Sequence, residues 1–310
     1  MISRISLKNF KAFQKLEDFE MKPITILCGI NSCGKSSIIQ SILLLKQTIE
    51  SQKRNILLLN SKYVKLGTFE NIIYNKDKTK TVEFNFEFEV NLSHFAKRRP
   101  HIFFIRSLIT QDYFKALRDA NKNLIFELRL GIKIKEGIDE SKFTYLKPIV
   151  INHLRISIKG IKIKGKIYPD SYTSLQFLKK NQYKLVFRNV VNNYREDKTI
   201  SGEELINIDR FIQFYPSIPD REVKVPIRVF RDIDFFLNEI FRNYRFLGPL
   251  REEPSRRYIY EDEVLEIGIK GENSAYLFLN EKVKKLSDHF FYNLKTDNFE
   301  LIKKINLEQA

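Results

Sequence analysis

Tryptophan is absent from this 310-residue chain, and cysteine occurs twice, as Cys28 and Cys33. Two neighbouring cysteines exclude a disulfide framework and point to a reducing cytoplasm. The four histidines, His94, His101, His153 and His289, are scattered, so no zinc-binding spacing exists. Long apolar runs are missing as well. No stretch is long enough for a membrane-spanning helix, so no membrane partner is expected. The opening Met-Ile-Ser-Arg-Ile-Ser-Leu-Lys lacks the apolar core of a signal peptide. Acidic residues are in deficit: 38 Asp and Glu against 54 Lys and Arg, a net charge of +16. That excess fits a basic surface for nucleic acid such as DNA. It fits coding bias equally well, because Lys, Ile, Asn and Phe are all abundant.

Against these absences stands one dense motif, Gly29-Ile-Asn-Ser-Cys-Gly-Lys-Ser36. It fits G-x-x-x-x-G-K-S/T, the phosphate-binding P-loop. Pro23–Cys28 reads as a short buried strand before it, and Ser36–Gln47 as a helix starting inside it. In that arrangement backbone N–H groups and the positive end of a helix dipole face phosphate. Gly29 and Gly34 permit backbone conformations closed to other residues. The expected ligand is ATP with Mg²⁺. Lys35 reaches the β- and γ-phosphates, the Ser36 hydroxyl ligates the metal, and Asn31, Ser32, Cys33 and Ser37 complete the loop. Cys33 is either a thiol activated by the neighbouring N–H groups and Lys35 or a small filler.

The periodicity divides the chain into an N-terminal lobe over 1–90, a β-rich insertion over 91–200 and a helical segment over 201–310. Ile2–Leu7 alternates as a strand with Gln14–Met21 as its hairpin partner. Thr81–Val90 alternates most clearly, with Val82, Phe84, Phe86, Phe88 and Val90 on one face. Lys97-Arg-Arg99 opens a loop ending at Pro100, and Asp112–Asn121 is a short helix. Further strands are expected over Leu124–Leu130, Ile149–Ile158, Ile161–Ile167 and Tyr183–Val190. Helices are expected over Ile227–Phe246 and Glu272–Phe290. The expected fold class is α/β: a P-loop NTPase lobe with a mixed sheet, an antiparallel β portion, and α/β and helical insertions.

Ile5-Ser-Leu-Lys-Asn-Phe-Lys-Ala-Phe13, followed by the P-loop, resembles the N-terminal portion of ABC-type ATPases of the SMC, RecF and OLD group. Ile38–Gln47, Leu66–Tyr74, Phe246–Arg251 and Gly271–Ala275 resemble the subset identified as AAA-family ATPases in bacterial anti-phage and toxin–antitoxin-like operons. The resemblance implies an ATPase coupled to a nuclease or effector partner, and places Lys11 near the nucleotide. A lysine solvated at a strand end is the equal alternative for Lys11.

The chain departs from that family in one respect that bears on catalysis. No apolar strand ends in Asp-Glu, the pair that holds Mg²⁺ and positions water. Arg257–Glu263 is nearest, with its acids out of order. Ile200-Ser-Gly-Glu-Glu204 imitates the family's signature loop but reads better as a helix start, with Ser201 as N-cap and Glu204 closing a capping box. The catalytic residues are therefore unknown, and the lobe carrying the signature and Asp-Glu motifs is either missing, the helical segment over 201–310 continuing into it, or supplied by a partner chain. A non-hydrolysing ATP-responsive module and a basic nucleic-acid scaffold are the other readings. Asp232-Ile-Asp234 sits on a solvated helix face. Asn75-Lys76-Asp77 has the wrong spacing for guanine recognition. Lys162, Lys164 and Lys166, along one strand face, track a phosphate backbone with Lys97–Arg99 or guard a solvated edge.

Overall fold

The computed structural model describes residues 1–51, 56–92, 99–135, 149–193, 196–218, 225–242, 244–248, 288–293 and 298–304. Two compact units divide the chain, residues 1–243 and 244–310. In the second, β13 (Asp288–Asn293) and β14 (Asn298–Lys304) form an antiparallel hairpin.

The first unit is built on period-two alternation. Its strands are β1 (Ile2–Phe10), β2 (Phe13–Glu20), β3 (Val82–Val90), β4 (Leu124–Ile134) and β5 (Ile149–Ile158). After the short β6 (Ile161–Ile163) and β7 (Lys166–Tyr168) come β8 (Ser171–Lys179), β9 (Gln182–Asn193) and β10 (Lys198–Asn207). Eight of these form one sheet in the order β10-β9-β8-β5-β4-β3-β1-β2. Every pairing in it is antiparallel. A small β11–β12 hairpin, Arg210–Ile212 with Tyr215–Ser217, follows.

The mixed α/β P-loop NTPase fold expected from the motif is overturned by this topology. Parallel strands need buried crossover connections and near-continuous apolar runs. Here the strands instead carry one apolar and one polar face. Phe84, Phe86 and Phe88 are buried on one side of β3, while the polar side carries Glu83, Asn85 and Glu87. The helices are α1 (Lys35–Ile49), α2 (Arg99–Leu108), α3 (Gln111–Asp119) and α4 (Val225–Arg242), of which α2 and α4 pack against the apolar face. Phe236 of α4 lies 4.8 Å from both Phe104 of α2 and Phe126 of β4, centroid to centroid. Phe241 meets Phe88 edge-on at 6.2 Å. Rings in this geometry add to the area they remove from water.

Four local expectations are also corrected. Pro23–Cys28 is not a strand: it pairs with no described strand, and Ile24 and Ile26 are 83% and 78% exposed. The chain leaves the sheet after β2, which is already its edge, so no described strand flanks this segment. Ile161–Ile167 is not one strand but the β6–β7 hairpin, turned by Lys164 at φ 48° and Gly165 at φ 84°. Ile200–Glu204 is not a helix start but part of β10, and the Ser201 hydroxyl accepts from Asn189 N–H instead of capping a helix. Arg99 and Pro100 begin α2 rather than end a loop. The strand Ser171–Lys179 carried no expectation. Of the helix expected over Glu272–Phe290, only Asp288–Phe290 is described, and it belongs to β13.

Candidate functional site

The loop Gly29–Gly34 connects the exposed segment 23–28 to α1. Three of its residues take left-handed backbone angles: Gly29 at φ 146°, Ser32 at 64° and Gly34 at 99°. Gly34 is the N-cap of α1. A Cβ there would lie 2.6 Å from Phe13 Cζ, so both angle and space demand glycine. Asn31, Ser32, Cys33 and Ser36 are exposed, and Ser37 is buried in the first turn of α1.

Lys35 folds back over the loop. Its Nζ donates to the carbonyls of Gly29 at 2.7 Å and Ile30 at 2.6 Å, and Cys33 Sγ is 3.5 Å away. A cation is thereby held above the loop beside an exposed hydroxyl, Ser36, at a helix N-terminus. That donor set suits an oxyanion. A Mg²⁺ ion would share Ser36 with the phosphates it accompanies. Among the described residues no group of three His, Cys, Asp or Glu side chains is placed to hold a metal without such a ligand.

Two further stretches singled out in the sequence meet at the end of β1, one of them touching α1. Lys11, at φ 50° beyond β1, donates from Nζ to Gln40 Oε1 of α1 at 2.6 Å. Desolvation holds the Lys11 ammonium below its ordinary range. The Lys11 N–H donates to Ile72 O at 2.7 Å, and Phe10 bridges to Ile73. The Leu66–Tyr74 stretch, with its short 3₁₀ turns at Phe69–Ile72 and Tyr74–Lys76, therefore packs against the end of β1.

The other end of α1 is anchored more heavily, a feature the sequence reading missed. Lys46 is buried, paired with Glu50, and donates to Phe241 O of α4 at 3.1 Å. The Gln47 side chain donates to Leu58 O and accepts from Val64 N–H. Gln213, between β11 and β12, donates to the carbonyls of Thr48, Ile49 and Ser51 that end the helix. These polar residues at helical spacing inside an apolar run were the signal for such anchoring.

Of the remaining candidates, Lys162, Lys164 and Lys166 share no strand face, and Lys166 is paired with Asp112. Asp232 and Asp234 lie in α4. Lys97, Arg98 and the segment Arg257–Glu263 fall outside the described residues. No helix among the described residues is long and apolar enough to cross a membrane. No protein-family model matches this sequence, and no curated protein is similar enough to count as a relative.

Proposed function

We propose that this chain binds a nucleoside triphosphate, ATP with Mg²⁺, through the loop Gly29–Ser36. The observation that carries the reading is the ammonium of Lys35, held by the Gly29 and Ile30 carbonyls directly over a glycine-shaped loop that feeds a helix N-terminus. The phosphates displace those carbonyls as partners of Lys35, the Ser36 hydroxyl ligates Mg²⁺, and Lys11 stands beside α1 near the nucleotide. The resemblance to ABC-type ATPases supports the adenine nucleotide and a protein partner, a nuclease or another effector in a bacterial defence-type system. The described residues offer no Asp-Glu pair beside the loop. In this reading the chain responds to ATP, and the partner supplies the carboxylates for turnover.

Titration calorimetry with Mg-ATP tests the proposal. Charge-assisted bonds to phosphate are worth about 1.5–3 kcal/mol, so Lys35→Ala weakens binding about tenfold or more. Equal affinity of variant and parent chain overturns it.

A further inference from the structure

The polar face of the sheet, opposite α2 and α4, carries arginines whose arrangement breaks a rule of strand pairing. Arg129 of β4 and Arg155 of β5 are direct cross-strand partners. Like charges facing each other across two strands destabilise a sheet unless something anionic lies between or above them. Arg129 has a carboxylate, bonding Glu127 Oε1 at 2.8 Å. Arg155 has none among the described residues. Its guanidinium stacks on Tyr172 of β8, 3.7 Å from the ring centroid, and its Nε is buried without a hydrogen-bond partner. Arg188 of β9, exposed and the cross-strand partner of Tyr172, lies 6.0 Å from the same ring. It too has no carboxylate among the described residues.

Several surrounding cations of that face are balanced: Lys8 pairs with Glu83, Lys159 with Glu87 and Lys184 with Glu203. Among the described residues Arg155 and Arg188, in the middle of the face, form no ion pair, with Ser174 of β8 on the strand between theirs; Arg4, towards the β1 edge, forms none either. Beside Arg129 lies a cleft of about 270 Å³ of mixed charge, lined by Lys8, Lys15 and His153 and by Glu17, Asp18 and Glu83. From Arg129 to Arg188 is three strand spacings, roughly 14 Å. A line of guanidinium groups at this pitch matches one polyanionic strand crossing the sheet. With a guanidinium on Tyr172, the face offers charge rather than a free ring for base stacking.

We propose that this face binds the phosphodiester backbone of single-stranded nucleic acid, across Arg129, Arg155 and Arg188, with little sequence preference. The site is separate from the loop at Gly29–Ser36 and from the Lys162–Lys166 hairpin.

The test is fluorescence anisotropy of the full chain with a labelled oligothymidylate over a range of salt, beginning at about 50 mM. The expected result is binding that weakens with salt by about 0.7 log units per log unit for each phosphate engaged. Arg155→Gln with Arg188→Gln weakens binding tenfold or more and reduces the slope by about 1.4. Arg188→Gln alone, on an exposed side chain, reduces it by about 0.7 while the thermal midpoint stays unchanged. Lys162→Gln with Lys164→Gln leaves both quantities as they were. Failure of the oligonucleotide to bind at low salt overturns the proposal, and so does an unchanged slope in the double arginine variant. Loss of binding in Lys35→Ala overturns it as well, since the oligonucleotide would then occupy the loop. Loss of ATP binding in Lys35→Ala with oligonucleotide binding retained is the expected pairing of the two experiments.

Discussion

The ring of Phe13 occupies the space that a side chain on Gly34 would need, with Cζ 2.6 Å from the position of its Cβ. The first residue of β2 thereby shapes the cap of α1, and the sheet and the candidate phosphate loop are fitted to one another.

Gly34→Ala combines that overlap with a backbone angle of φ 99°, in the left-handed region. Strain of this kind costs about 1–3 kcal/mol. The expected outcome is a lower thermal midpoint together with weakened Mg-ATP binding by calorimetry. Gly165→Ala, with open space around its Cβ, controls for the angle alone and leaves ATP affinity intact.

The isolated chain is expected to release phosphate from ATP slowly or not at all, because phosphoryl transfer requires a positioned metal and water. A steady phosphate-release assay checks this. Turnover that disappears in Lys35→Ala would place the catalytic carboxylate within these 310 residues, with Glu261, Asp262 and Glu263 first to be replaced.

Phe236 is fully buried between α2 and β4. Phe236→Ala removes about 3–5 kcal/mol of stability through lost burial and the cavity left behind. Urea unfolding followed by circular dichroism measures it, with the midpoint falling and the slope unchanged.

Burial alone would raise the Glu127 carboxyl, but Arg129, Asn85 and Ser157 outweigh it and hold the group below its ordinary 4.5. A depressed carboxylate contributes stability that is fully present above pH 4.5 and is lost as pH falls through the folded value. The parent chain should therefore lose more of its thermal midpoint between pH 6 and pH 3, roughly, than Glu127→Gln does. Parallel titrations of the two would disprove the role of this carboxylate.

The strands were legible where one face is apolar. Val82 to Val90 and Leu124 to Leu130 announce themselves by alternation, and they form β3 and β4. Pro23–Cys28 deceived because an apolar run signals burial only if neighbours exist on both sides, and neighbours are a property of topology. Ser171–Lys179 was missed because Tyr, Thr and Ser dilute its alternation, although Thr173 and Leu175 are buried. For the site, the glycines and Lys35 were readable from spacing alone. The Arg129–Arg155 juxtaposition was not, since cross-strand register depends on the length of the connection and not on either strand.

Apart from the exchange of β1 and β2, the sheet runs in chain order. During synthesis each new strand can therefore dock on the one made before it, and only β1 must wait. Its register with β3 joins Ile2 to Phe88 and Lys8 to Glu83, so its inner edge stays unpaired while the loop, α1 and the turns before β3 are made. At ~5–20 residues per second that wait is roughly 3–12 s. For those seconds the nascent hairpin of β1 and β2 is an open template, and the speed of translation through residues 21–81 sets how long it is at risk of pairing with another chain.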